Sequence, residues 1–307
     1  MKYWVLFLNL SLLLVVTSCE KKSPGTITSA PAATVASLNT NLQVFQVRGV
    51  IVSVNAPDKT VRIQHEEIPG YMDAMTMPFD VKDTNELVGL NPGDAVTFRM
   101  LVTETDGWIE QIKKLDGKAA ANALPVSAPI RIVRDVEPLD VGDTLPEYHF
   151  TNQLGQAVSL SQFRGQALAF TFIFTRCPFP TFCPLMSNNL RDVQAALRAD
   201  ANAPTNWHLL TISFDPDYDT PERLKNYAAA YQADPARWEF LTGALIDITA
   251  LSEQVGLQFW KDPQAGINHN LRTVVVDARG RVQKIFIENK WTVEELAAEI
   301  IKAAAVK

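Results

Sequence analysis

ALAFTFIFTRCPFPTFCPLM, residues 167–186, decides the fold of the larger part of this 307-residue chain. Its opening stretch, 167–174, is an apolar run broken only by Thr171, the composition of a strand buried on both faces of a sheet. A helical pattern follows over 186–199. Between the two stand Cys177 and Cys183, in a loop carrying Pro178, Pro180, Phe179 and Phe182. A strand-to-helix loop exposes its groups, and the helix amides that follow favour an anion such as a thiolate. From the residues alone the cysteines are a disulfide, a redox pair or two ligands for a metal.

Working outward, 148–152 and 157–160 read as a hairpin around Gly155, and 208–213 reads as a strand. Helices are expected at 221–232 and near 248–255. Strands at 272–277 and 282–287 flank the turn Ala278-Arg279-Gly280, and a last helix starts at Thr292. Strands alternating with helices around apolar strands indicate an α/β sandwich over 139–307. The part before it differs. Short alternating segments at 44–54, 60–64, 94–101 and 108–115 are separated by polar turns such as Asn91-Pro92-Gly93-Asp94. That pattern predicts a small all-β barrel of OB type over 43–117. Residues 118–138, rich in Ala and Pro, are expected to be a linker, within which 130–133 could pair with a strand.

The N-terminus reads as an export signal. Lys2 precedes an apolar stretch from Tyr3 to Val16, too short for a comfortable spanning helix. Small residues then lead into Cys19, which resembles the lipobox of bacterial lipoproteins. The resemblance implies a signal peptide over 1–18, lipidation of Cys19 and attachment to a membrane facing the periplasm. A short uncleaved membrane anchor is the alternative reading. Residues 19–42, rich in Ser, Thr, Ala and Pro, are expected to be a flexible tether. Either reading places the rest of the chain in an oxidising, extracytoplasmic space. The net charge of −6, from 28 basic and 34 acidic residues, gives no basic footprint for nucleic acid.

Two thiolates make a soft but incomplete donor set, so a third ligand has to come from elsewhere in the chain. Of the four histidines, His149 and His208 lie in or beside strands and read as packing or surface residues, and His65 belongs to the first part. His269, in the polar stretch Asn268-His269-Asn270 before strand 272–277, is left as the candidate. Asp215, Asp217 and Asp219 read first as turn and cap residues, and otherwise as groups that back the metal ligands or dock a partner.

A second donor set lies in HEEIPGYMDAMTMPF, 65–79. Met75 and Met77 are spaced to share one strand face, and His65 at the end of strand 60–64 can lie opposite. Met72 is close by. Thioethers and an imidazole suit copper(I) or silver(I) and are poor ligands for magnesium or calcium. Gap-filling in the core is the alternative for each methionine.

Residues 139–307 resemble the Sco/SenC family through FTFIFTRCP…CPLM, GDTLPEYHFTNQLGQAVSLSQFRGQ, ISFDPDYDTPERLKNYAAAY and the loop histidine. That resemblance implies a thioredoxin-like fold, copper bound by Cys177, Cys183 and His269, and a role in assembling the copper-A centre of cytochrome c oxidase. The family usually has three residues between its cysteines, and here there are five. It also commonly has an aspartate where this chain has Asn268. The stretch 47–82 resembles the CusF family of periplasmic copper carriers, which implies copper ligation by His65, Met75 and Met77. Met72 replaces the tryptophan of that family and either joins the ligands or packs.

These resemblances together imply an exported copper metallochaperone. In it the Met/His site acquires copper(I) and the Cys/Cys/His site receives it or passes it to the copper-A subunit or another acceptor. A flexible linker of about 20 residues would span roughly 25 Å and hold the two sites near each other. The alternatives are a thiol–disulfide oxidoreductase cycling Cys177 and Cys183, and a resistance protein that sequesters copper. A purely structural disulfide leaves His269 and the methionines without a role.

Overall fold

The structure is a computed structural model that describes residues 42–115, 136–262 and 266–306. Cys19, the expected signal and tether, and most of the expected linker lie outside the described residues. Thr40–Lys307 form one compact unit.

The first part is a five-stranded antiparallel sheet in the order β3-β2-β1-β4-β5. Its strands are β1 (Gln43–Asn55), β2 (Thr60–His65), β3 (Met75–Asp80), β4 (Ala95–Val102) and β5 (Gly107–Lys114). Alternate residues such as Val61, Ile63, Met77, Phe79, Phe98 and Ile109 are buried, as a period of two requires. β1 serves two partners, β4 along its first half and β2 along its second. A register shift between Ile51 and Ser53 bends it and rolls the sheet. The roll does not close by a ladder. β3 and β5 approach each other, but the adjoining bridge is the isolated pair Val81–Ile109. The closed barrel expected from the sequence is therefore replaced by a rolled sheet. Pro78 within β3 has no amide hydrogen, which suits an edge strand and works against a second ladder.

The second part holds a seven-stranded sheet in the order β14-β13-β8-β9-β10-β6-β7. The hairpin β6 (His149–Asn152) and β7 (Ala157–Ser159) forms one edge. The centre is β8 (Ala167–Ile173), β9 (Trp207–Ser213) and β10 (Trp238–Thr242), mutually parallel and buried along their whole length. β13 (Arg272–Val276) pairs antiparallel with β8, and β14 (Val282–Ile287) with β13. The helices are α1 (Cys183–Ala199), α2 (Pro221–Ala230), α3 (Leu245–Gln254) and α4 (Val293–Ala304). α1 and α4 pack on each other and on β8, and α2 packs on β10. α1 tolerates Pro184 because the first turn of a helix needs no amide donor there. Thr292 caps α4 in a reciprocal capping box with Glu295.

Two elements differ from the sequence reading. WEFLT at 238–242 is an interior strand, with the polar Glu239 buried and accepting from Asn152 Nδ2 at 2.6 Å. His269, expected in a polar loop, instead ends a two-stranded hairpin of β11 (Phe259–Asp262) and β12 (Gly266–His269). Asn268 and His269 are buried because β12 packs against β3 of the first sheet.

Candidate metal centre

The chain leaves β8 into two successive turns. The Cys177 amide donates to the Phe174 carbonyl at 3.2 Å, and the Phe182 amide donates to the Phe179 carbonyl at 3.1 Å. The spacer thus folds back on itself and delivers Cys183, the first residue of α1, beside Cys177. The Sγ atoms and a ring nitrogen of His269 all lie within 4.8 Å of one another. Cys183 and His269 are buried and Cys177 is half-buried. The cysteines are free thiols.

Groups after β9 hold this loop. Asp219, buried, accepts from the Thr175 amide at 3.0 Å, from the Thr175 hydroxyl and from Ser213 Oγ at 2.5 Å. Asp215, also buried, accepts from Arg176 Nη2 at 2.6 Å, and the guanidinium lies over the Tyr218 ring at 4.1 Å. Two of the three aspartates that read first as turn and cap residues therefore fix the start of the cysteine loop.

His269 sits among the rings of Phe174, Phe182 and Phe214, with centroids 5.6, 5.6 and 5.0 Å away. Its Nδ1 is 2.9 Å from the Asn270 carbonyl. A carbonyl only accepts, so Nδ1 carries a hydrogen and Nε2 is the nitrogen left for the sulfurs, donating to Cys177 when protonated and ligating a metal when its proton is released. The thiols share their proton unequally. Burial pushes Cys177 up, but hydrogen bonds from Cys183 and His269 together with the imidazole charge hold it well below the ordinary thiol range. Burial, and then the neighbouring Cys177, push Cys183 well up. Cys177 is accordingly the thiolate of the pair, and the Cys183 thiol donates to it.

The second donor set is built on β2 and β3, where His65 stands directly opposite Met75. Met77 and Met72 are buried nearby. His65 repeats the arrangement of His269: its Nδ1 donates to the Glu66 carbonyl at 2.7 Å, and the buried Nε2 has no hydrogen-bond partner. Burial lowers its pKa to about 4, so the ring is neutral near neutral pH with its Nε2 lone pair free. An orphaned imidazole nitrogen beside thioethers fits a soft monovalent ion.

Parts of the two donor sets meet. Met72, Met75 and Met77 line the same small cavity, about 10 Å³, as Cys177 and His269. Phe174, Phe179 and Phe182 form much of its wall. The sequence reading put these sets at opposite ends of a flexible linker and overlooked the residues that join them. The signal was present in the spacer, whose two phenylalanines and two prolines are apolar beyond what a turn needs.

Residues 137–305, more than half of the chain, match the family model described as SCO1/SenC. The chain belongs to the SCO1/SenC family. Residues 44–114 match the family described as copper binding periplasmic protein CusF. The SCO1 protein homolog of Bacillus subtilis is 29% identical over 165 residues, covering 52% of this chain and 82% of that protein. Among solved structures, BsSco, described as a member of the Sco family of cytochrome c oxidase assembly proteins, is 26% identical with a TM-score of 0.48, covering 57% of this chain and all of that one (100%). Bradyrhizobium japonicum ScoI with copper bound is 27% identical with a TM-score of 0.43, covering 53% of this chain and 99% of that one. In this SCO1/SenC member the seven-stranded sheet and its helices give the thioredoxin-like part, and the rolled sheet gives the CusF-like part.

Proposed function

We propose that this SCO1/SenC protein is a copper metallochaperone, exported and held at a membrane through a lipid on Cys19, that serves the copper-A centre of cytochrome c oxidase or another copper acceptor. Cys177, Cys183 and His269 hold the ion, and Met72, Met75, Met77 and His65 acquire it. The observation that carries this reading is the convergence of two sulfurs and one imidazole nitrogen within 4.8 Å. Thiolates and imidazole are soft donors of the kind that select copper over magnesium or calcium. Membership of the SCO1/SenC family, the CusF match and the copper-bound ScoI structure support the same metal. The description of BsSco as a member of a family of oxidase assembly proteins supports the recipient. Among the described residues no helix is long and apolar enough to cross a membrane.

Within this site each group has a distinct task. Cys177 offers a thiolate already free of its proton, and Cys183 becomes the second when its proton is released on metal binding. The Asn270 carbonyl keeps Nε2 of His269 aimed at the sulfurs, and the ring of phenylalanines excludes water. Copper per chain, measured after dialysis against a weak chelator, tests the assignment. Cys177→Ala and His269→Ala each lose the tightly held ion, while Met75→Leu keeps it. Full copper content in both of the first two variants would overturn the reading.

Thiol–disulfide exchange is the second reading, favoured by the depressed Cys177 thiol beside the free Cys183. The Cys177 thiolate would attack a disulfide in a partner. Cys183 would then resolve the mixed disulfide, leaving a Cys177–Cys183 bond and two partner thiols. Exchange activity that needs both cysteines and tolerates His269→Ala would favour it.

A further inference from the structure

The cavity between the two parts has a door. An open cleft of about 320 Å³ is lined by Met72, Met75, Phe174, Pro178 and Ile267, all of which also line the inner cavity. Its outer rim carries the exposed carboxylates Glu67 and Asp73. The one basic side chain on that rim, Arg176, is paired with Asp215. A cation coming from solvent therefore meets acidic groups first, then two thioethers, and only then Cys177 and His269.

We propose that Met72 and Met75 form the threshold of the Cys177–Cys183–His269 centre, so that copper(I) enters it by ligand exchange from these thioethers within the shared cavity, without returning to solvent. The proposal rests on the reading of that centre as the copper site. Three observations carry it.

The first is size. A cavity needs about 10–15 Å³ to hold one water, and the inner cavity measures about 10 Å³. An ion entering it comes without a hydration shell and needs protein donors at every step. Bare charge in an apolar space is costly, and the sulfurs of the methionines are the soft donors shared by cleft and cavity.

The second is alignment. Besides an ion pair of Lys290 with Asp58 at 3.0 Å, two hydrogen bonds join the parts, and each of these two lies next to candidate donors on both sides. Tyr71, which precedes Met72, donates its hydroxyl to the carbonyl of Pro178, which follows Cys177, at 3.2 Å. The amide of Thr76, between Met75 and Met77, donates to the side chain of Asn268, which precedes His269. The methionine strand is thus registered against the cysteine loop at one point and the histidine strand at the other.

The third is the spacer. Phe179 rests edge-on against Phe79 of the first sheet, with ring centroids 5.9 Å apart, and covers Gly107, where an added Cβ would lie 2.6 Å from the ring. The residues that separate the cysteines are the ones that seal the chamber.

In the transfer one copper–thioether bond breaks as one copper–thiolate bond forms, and copper stays in the +1 state. The Cys183 proton leaves to solvent as the second thiolate binds. Neutral thioethers leave the ion its positive charge in an apolar space, whereas thiolates cancel it, so exchange runs inward.

The test uses the full chain and copper(I) supplied as its bicinchoninate complex, followed by stopped-flow absorbance of the copper–thiolate band. Leucine nearly conserves the volume of methionine, so Met72→Leu with Met75→Leu removes the thioethers with little change of shape. The double variant is expected to load more slowly by about tenfold or more, because a tethered donor beside the acceptor is lost. Its final affinity at the thiolates stays within about threefold of wild type, the spread expected for a single context-dependent contact. An unchanged loading rate overturns the threshold and leaves the copper centre standing. Weaker final binding with an unchanged rate makes the methionines resident ligands and overturns it too. Absence of a copper–thiolate band in the wild type defeats the reading of the centre itself, and the threshold with it.

Discussion

His65 and His269 are set by the same device. Each ring donates Nδ1 to the carbonyl of the next residue, which leaves Nε2 as the nitrogen for a ligand; the His269 ring lies with the two cysteine sulfurs, and His65 stands opposite Met75. The device has a measurable cost at His65, whose buried ring titrates at about 4. In the unfolded chain a histidine takes up its proton near pH 6.5. Between these values the unfolded state binds the extra proton, so stability is complete above about 6.5 and falls as the pH drops toward 4. The copper-free protein should lose as much as ~3 kcal/mol over that window, from the ordinary conversion of about 1.4 kcal/mol per pH unit. Denaturant melts at pH 7 and pH 4.5 measure the loss, and His65→Phe should flatten this part of the profile. A profile equally steep in the variant would show that the acid sensitivity lies elsewhere. At this scale the sequence was informative. Donor chemistry singled out Cys177, Cys183 and His269, which the fold brings within 4.8 Å, and Met72, Met75 and Met77, which line a cavity with Cys177 and His269, because softness belongs to the residue type itself.

Strand ends and loops were read less completely. β8, β9 and the helices follow from long apolar runs, periodicity and caps, which are local signals. β10 is only five residues long and holds a glutamate whose partners, Asn152 and His208, are far away in the chain. The hairpin of β11 and β12 looks polar because Asn268 is buried by a partner strand from the other sheet, a contact no window of sequence contains. The tie between the loops after β8 and β9 was equally invisible. Asp219 accepts from both Thr175 and Ser213, and Ser213 Oγ in turn accepts from the Asp215 amide. Asp219→Ala removes the acceptor of the half-buried Thr175 amide and hydroxyl and of the buried Ser213 hydroxyl, so a loss of about 3 kcal/mol is expected. The denaturant midpoint should fall with an unchanged slope. A loss below about 1 kcal/mol, the level of an ordinary surface change, would mean that water replaces the carboxylate.

For the whole molecule the decisive fact is that the methionines of one donor set and Cys177 and His269 of the other line one cavity. The sequence reading treated the parts as separate bodies sharing a tether, because docking depends on surfaces built from segments distant in the chain. The spacer is the clearest case. Read locally, its extra length is only a departure from the usual three residues; in the fold, Phe179 makes it the seal between the sheets. Gly107→Val forces that ring to move, and overpacking of this kind costs about 2 kcal/mol. In a Phe179→Ala background the same substitution should cost little, so a double-mutant cycle should return a coupling of about 1 kcal/mol or more. Additive effects would mean that the ring does not rest on the glycine. A history also follows from this contact. A longer spacer is of use only where a bare backbone waits to receive its ring, and a glycine at 107 is idle without it. In descendants of this architecture the two features are expected to be inherited and lost as a pair, though one lies in the sheet and the other between the cysteines.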